Sequence, residues 1–299
     1  MSFLLTCFYL FVIICFIGDT MEKFQYKDIR DRFHDLCERE FTYLYVDDDK
    51  RIVCKVFEPD FVVSMLDLDY DMEELVLEGS KLVKSNDIVL PNSIVYSGKY
   101  FAGYLMPYFD GISIYDCHKC YVSPYRLMET YHKLENIIKN CDNIVFPDLL
   151  TEGNILISDD LEIKLIDFDG IQVGDYSTPF FSRDMGDKCI YDGTKYKDNN
   201  LYTKQLDIKS LIYLYMKFLL GVDMGYLDKF EGIRQKEMLN CFINDLGIDN
   251  DNLVNKIFAL YDDNKENIYL GDTVDEIYEN YRTDMVLENG RYVKKLLRK

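Results

Sequence analysis

NILISDDLEIKLIDFDG, residues 154 to 170, is the stretch on which the reading of this chain turns. Two short apolar runs, Ile155-Leu156-Ile157 and Ile163-Lys164-Leu165-Ile166, flank the polar turn Ser158-Asp159-Asp160. Apolar runs of that length bounded by turn formers predict a β-hairpin. A hairpin sets its two ends side by side. The ends here are Asn154 and Asp167, an amide oxygen and a carboxylate, and such hard oxygen donors suit a cation like Mg²⁺. The stretch is therefore either turn punctuation or half of a metal site.

Composition narrows the setting. The chain has 299 residues, enough to bury a substantial core in one large domain or two lobes. Apolar residues make up 48% and aromatics 15%, which marks a folded chain and not a disordered one. A formal charge of −19 argues against non-specific binding to nucleic acid or anionic membrane. Nine cysteines, an odd number in a long chain, read as reduced thiols. Cys117-His118-Lys119-Cys120 is a single CxxC with no second pair nearby, short of the four ligands that structural zinc needs.

At the amino end, Phe3 to Gly18 is almost wholly apolar, about the length of one short membrane span. No Lys or Arg precedes it, unlike a secretory signal. The first bases follow it at Lys23, Lys27, Arg30 and Arg32, which orients the bulk of the chain to the cytoplasm, with residues 3–18 as a membrane tether. The alternative is that Met21 is the true start.

Past residue 20 the pattern changes character once. Phe41 to Val46 and Arg51 to Phe57, joined at Asp47-Asp48-Asp49-Lys50, read as one strand pair, and Asn92 to Tyr96 with Tyr100 to Met106 as a second. A helix over roughly 71–85 lies between the pairs. After Pro107-Tyr108-Phe109-Asp110-Gly111 the expected elements are helices at about 123–140, 204–221, 234–246, 252–262 and 273–285, apart from the hairpin. The expectation is a two-lobed α+β protein: residues 1–20 an apolar segment, 21–108 a small sheet-rich lobe, 109–299 a larger helical lobe.

Over nearly all of residues 40 to 290 this layout, with several motifs in order, resembles the protein-kinase-like fold. Val53-Cys54-Lys55 resembles the VAIK strand, which implies Lys55 as the lysine that pairs the phosphates. Glu78 resembles its acidic partner on the following helix, with Glu74 one turn away as the fallback. Tyr104 to Tyr108 is similar to the interlobe hinge, which implies nucleotide contacts at Met106 and Tyr108. Pro147-Asp148 followed by Gly153-Asn154 resembles the catalytic loop, and Asp167-Phe168-Asp169-Gly170 the DFG segment. Leu206-Asp207 is similar to the start of the helix that anchors the large lobe. Each motif alone is weak, and six in order form a much stronger signal.

The resemblance implies ATP and Mg²⁺ as cofactors. Lys55 would face the phosphate charge, held and oriented by a carboxylate such as Glu78. Asn154 and Asp167 would supply oxygens to the cation, and Asp148 would orient an attacking hydroxyl and accept its proton. Departures from the family are equally plain. Residues 38 to 50 contain no glycine, so no glycine-rich loop wraps the phosphates. Phe146-Pro147 stands where His-Arg is expected. Asp148 to Asn154 is six steps where the family has five, and Leu150 and Thr151 stand where a loop lysine is common. Gly153 can absorb the extra residue by taking a positive φ, with Glu152 as the rival acid if the loop shifts. No APE-like triplet lies between Asp167 and Asp207.

Three function classes follow. The first is an atypical ATP-dependent kinase acting on protein hydroxyls. The second is a pseudokinase scaffold, favoured by the missing glycines. The third is a small-molecule phosphotransferase, suggested by Asp169 and Gly153. Ser177, Thr178 and Ser182 lie where a protein substrate would be read and are candidate phosphorylation sites, although Ser and Thr are ordinary loop residues. The expected partners are a nucleotide and a protein substrate, not nucleic acid.

Overall fold

The computed structural model describes residues 21–39, 41–114, 124–151, 153–178, 180, 197–215, 233–245, 283–288 and 291–296. They form an α+β protein, sheet-rich in its amino-terminal region and helical later. The chain divides into two compact units, Met1–Leu77 with Leu90–Tyr108 and Glu78–Val89 with Phe109–Lys299. The division is therefore not a single cut at residue 108.

The first unit is built on a six-stranded sheet. Its strands are β1 (Glu22–Gln25), β2 (His34–Arg39), β3 (Thr42–Asp47), β4 (Ile52–Phe57), β5 (Ser93–Ser97) and β6 (Tyr100–Pro107), in the order β1-β5-β6-β4-β3-β2. All pairs are antiparallel except β1 with β5, where Glu22 to Gln25 run beside Ser93 to Tyr96. The β3–β4 turn closes as expected. Lys50 donates its backbone N–H to Asp47 Oδ1 at 3.1 Å, and Arg51 takes the left-handed φ of 52° that finishes the reversal.

β4 lies in the middle of the sheet, and Val53 through Phe57 are all buried. A strand covered on both faces loses the simple in–out alternation. One face packs Cys54, Val56, Tyr45, Val95, Ala102 and Leu105 against Ile29, from the short helix α1 (Tyr26–Arg30) that follows β1. Phe24, Tyr26 and Phe33 close the same cluster. Residues 22 to 33 were not expected as sheet and cover, and they supply both. Gly103 lets β6 approach β4, because a Cβ there would overlap the carbonyl oxygen of Lys55.

Helix α2 (Pro59–Asp67) also escaped the sequence reading. Proline at its first turn suits a helix start, and Phe61 and Met65, four apart, bury one face. The expected helix near 71–85 is present but irregular. Met72–Glu74 is α-helical, Leu75–Gly79 is a π-turn, and Ser80–Leu82 returns to α. Asp71 caps it by accepting from the Glu74 N–H at 2.9 Å.

In the second unit, β7 (Ile112–Ser113), β9 (Ile155–Ile157) and β10 (Ile163–Leu165) form a small sheet in the order β10-β9-β7. The backbone of 87–89 joins it, with Leu165 N–H donating to Asp87 O and Val89 N–H to Leu165 O, both at 2.8 Å. A two-stranded pair, β8 (Ile144–Val145) with β11 (Gln172–Val173), brackets the site loop. Helix α3 (Pro124–Lys139) contacts β10 and α4 (Lys204–Tyr215), and α4 also contacts β8. Helix α5 (Ile233–Asp245) matches its expectation.

One expectation is corrected: residues 283–285, placed at the end of a helix, belong to a strand, Thr283–Glu288, paired with Arg291–Leu296. The short continuous apolar run Met285-Val286-Leu287, followed by the turn formers Asn289-Gly290, is consistent with a strand as well as with a helix end, and its pairing with residues 291–296 decides for the strand. The helix expected at 252–262, the CxxC at 117–120 and the apolar stretch 3–18 lie outside the described residues. Among the described residues, no helix is long and apolar enough to cross a membrane.

Candidate functional site

The expected hairpin forms, with Ile157 opposite Ile163 and Ile155 opposite Leu165. Its open end is closed by Ile166 N–H donating to Asn154 O at 3.0 Å, so Asn154 stands directly beside the residue preceding Asp167. Asn154 is buried, and its amide is not idle. Nδ2 donates to the Asp148 carbonyl oxygen at 2.9 Å and to Asp148 Oδ2 at 3.1 Å. Thr151 Oγ1 donates to the other carboxylate oxygen, Asp148 Oδ1. Both oxygens of Asp148 are thus gripped from residues three and six positions ahead.

The loop that does this winds tightly. Leu149 N–H donates to Phe146 O, Thr151 N–H to Asp148 O and Asn154 N–H to Thr151 O, at 3.1, 3.3 and 3.2 Å. Leu149 and Leu150 point into the core and anchor it. Gly153, directly before Asn154, has φ 100°, a region that suits glycine. Glu152, the rival acid, lies outside the described residues.

Asp167 is the second acid. It holds a left-handed backbone, φ 72° and ψ 60°, which Asp tolerates better than most residues. Such a conformation in a non-glycine residue stores strain and often accompanies function. A 3₁₀ turn, Phe168–Gly170, follows at once and returns Gly170 to the site. A Cβ at Gly170 would lie 3.3 Å from Asp148 Cβ, 3.5 Å from Asp148 Oδ2 and 3.7 Å from Asp167 Oδ2. The backbone of Gly170 therefore has the carboxylates of Asp148 and Asp167 on one side of it. Asn154, Asp148 and Asp167, read separately from the sequence, are brought together.

The donor set suits magnesium. Mg²⁺ keeps several waters and takes one or two carboxylates with phosphate oxygens, not an all-protein cage. With Nδ2 of Asn154 committed to Asp148, its Oδ1 is the amide atom that could act as a ligand. Among the described residues no group of three or more His, Cys, Asp or Glu side chains could hold a metal ion. A set completed by an amide oxygen is of another kind.

Below the loop lies a charge that the resemblance named only as a helix start. Asp207, wholly buried in α4, accepts the Phe146 N–H at 2.7 Å and pairs with Lys204 Nζ at 2.8 Å. Burial pushes its carboxyl above the usual range, while Lys204 and the Phe146 N–H pull it back. The buried acid thus fixes the backbone two residues ahead of Asp148. Thr178 is also buried, and its hydroxyl donates to Asp169 O at 2.7 Å. That bond removes Thr178 as an accessible phosphorylation site. The Ser177 hydroxyl is buried as well, and Ser182 lies outside the described residues.

In the first unit, Lys55 is buried in central β4, with Nζ 5.4 Å over the Phe57 ring. A solvated edge lysine is therefore the wrong description. Met106 is buried opposite Val53. Tyr108 donates its N–H to Arg51 O at 2.8 Å, and its ring lies 4.9 Å under the Arg51 guanidinium. Glu78 is half-exposed and pairs with Lys81 at 2.8 Å. Glu73, which the sequence did not single out, accepts from the Tyr96 hydroxyl at 2.6 Å, and burial, then this bond, pushes that phenol up to about 12.

No known family model matches the sequence, and no curated protein matches it.

Proposed function

We propose that this chain is an atypical protein kinase of the protein-kinase-like superfamily, transferring the terminal phosphoryl group of ATP to a protein hydroxyl. The observation that carries the reading is the convergence of Asp148, Asn154 and Asp167 around Gly170. In this reading Asp148 accepts a hydrogen bond from the substrate hydroxyl, orients it and takes its proton. Asn154 and Asp167 hold Mg²⁺ by their oxygens, and the bound cation offsets charge on the phosphates. Lys55 supplies a cation to the phosphates from its buried strand, and Met106 and Tyr108 contribute to nucleotide binding. The chain works in the cytoplasm, with residues 3–18 as a tether.

A second reading is a pseudokinase scaffold. It draws on residues 38 to 50, which contain no glycine with which a loop could wrap phosphates.

Thermal-shift titration of the full chain with ATP, with and without Mg²⁺, tests nucleotide binding. Ligand at 100 times its Kd stabilises by about 2.7 kcal/mol. The expected result is a shift that grows with Mg²⁺, is reduced in Lys55→Met and loses its Mg²⁺ dependence in Asp167→Asn. Asp148→Asn is expected to keep the shift and lose phosphoryl transfer by roughly 10²–10⁴-fold. A shift without transfer to any protein favours the scaffold, and transfer to small hydroxylated compounds alone favours a small-molecule phosphotransferase. No shift under any metal overturns the nucleotide reading.

A further inference from the structure

We infer that Thr151 is a positioning residue for Asp148, holding its carboxylate through a side-chain hydroxyl. The inference rests on the kinase reading for its functional meaning, but its geometry stands alone. Thr151 Oγ1 donates to Asp148 Oδ1 while Asn154 Nδ2 donates to Asp148 Oδ2, so the carboxylate cannot turn without losing both bonds.

The arrangement differs from an ordinary capping turn. There an Asp carboxylate accepts from a backbone N–H two or three residues on. Here the Thr151 N–H goes to the Asp148 carbonyl at 3.3 Å, and the side-chain hydroxyl is what reaches the carboxylate. That hydroxyl comes from a rigid base. Thr is stiff at χ1, the buried Leu149 and Leu150 pin the turn, and Thr151 O accepts the Asn154 N–H at 3.2 Å. The two grips on Asp148 are therefore linked to each other through backbone. A carboxylate has about four lone-pair sites, so two such donors do not by themselves exhaust its capacity to accept a substrate hydroxyl.

A group held by two donors in one rotamer presents its acceptor in a fixed direction, and misplacement by an ångström costs on the order of a hundredfold in rate. Removing the hydroxyl takes away the bond from Thr151 to Oδ1. Asn154 still holds Oδ2, so Asp148 stays near its place but loses its fixed orientation.

Side-chain χ1 couplings of Asp148, measured by NMR on the full chain, report that orientation without requiring activity. The parent and Thr151→Ser are expected to show one rotamer, and Thr151→Val averaged couplings; Thr151→Ala serves the same comparison if valine does not fit. In transfer assays Thr151→Val is expected to lower kcat by roughly tenfold to a hundredfold with KM for ATP unchanged, and Thr151→Ser to restore it. Unchanged couplings in both the valine and alanine variants overturn the inference, as does averaging in the parent. Altered couplings with unaltered kcat overturn the positioning role. A parent that transfers no phosphate to any hydroxyl sinks the kinase reading instead, and the couplings still decide whether Thr151 holds Asp148.

Discussion

Lys55 is a buried charge in a sheet and Asp148 a half-buried one in a loop, and their surroundings differ in kind. Around Lys55 the six-stranded sheet supplies shape: Phe57 beneath the ammonium, Met106 across from Val53, and a glycine where a side chain would strike the lysine's own carbonyl. Around Asp148 a short loop supplies donors, and the packing only anchors its ends. Shape tolerates the loss of a hydrogen bond and fails when volume changes. A polar network tolerates small changes of volume and fails when one partner leaves a buried charge behind.

The largest structural effect is therefore expected at Asp207. Asp207→Ala orphans the buried Phe146 N–H and unpairs Lys204, at a cost of about 3 kcal/mol in urea unfolding. Its partner gives the pH test. Burial raises the Asp207 carboxyl above its ordinary 3.8, so the acid contributes stability that is full below that value and lost as pH rises through the raised one. Lys204 opposes the rise. Lys204→Met should therefore cost little near pH 4 and progressively more toward neutrality, a dependence read directly from unfolding curves at several pH values. A flat dependence would mean that Lys204 does not ionise against Asp207.

Next comes the sheet. Gly103→Ala must push β6 away from Lys55, and overpacking of this kind costs about 1–3 kcal/mol. Calorimetry should show that loss with the Mg²⁺-dependent part of any ATP shift retained. A harmless alanine would show that β6 yields more easily than its close approach to β4 implies.

The smallest effect sharpens the contrast. Glu78 and Lys81 are each 47% exposed, and an exposed pair three apart is worth about 0.3 kcal/mol. Glu78→Gln should change stability by no more than that. A loss near 2 kcal/mol would reveal Glu78 as a partner of a buried cation, as the resemblance to kinases implies for Lys55.

What the sequence made legible follows the same line. The strand pairs at 42–57 and 93–107 were readable because their turn formers sit at fixed short range. The hairpin at 155–165 was readable for the same reason, and with it the pairing of Asn154 with the approach to Asp167. Gly153 announced its positive φ through its own backbone freedom. Long-range features were not readable. Glu22–Gln25 is four residues without alternation, and only its pairing with residues 93–96 makes it a strand. The bond from Phe146 to Asp207 spans 61 residues. The use of the Asn154 nitrogen on Asp148, in place of a purely metal-directed amide, depends on how the loop winds, and no residue-type pattern states that.

The parallel pairing of β1 with β5 has a consequence in time. Glu22 meets Ser93, so β1 waits for a partner 93 − 22 = 71 residues later in the chain. At synthesis rates of about 5–20 residues per second, the delay is roughly 4 to 14 seconds before that partner exists. Through that interval Phe24, Tyr26 and Ile29 have not yet met Val95, Ala102 or Leu105, the surface that will cover them. Residues 22–29 are thus covered only after residues 93–105 exist, and any cellular factor that shields newly made apolar chain has those seconds in which to find them.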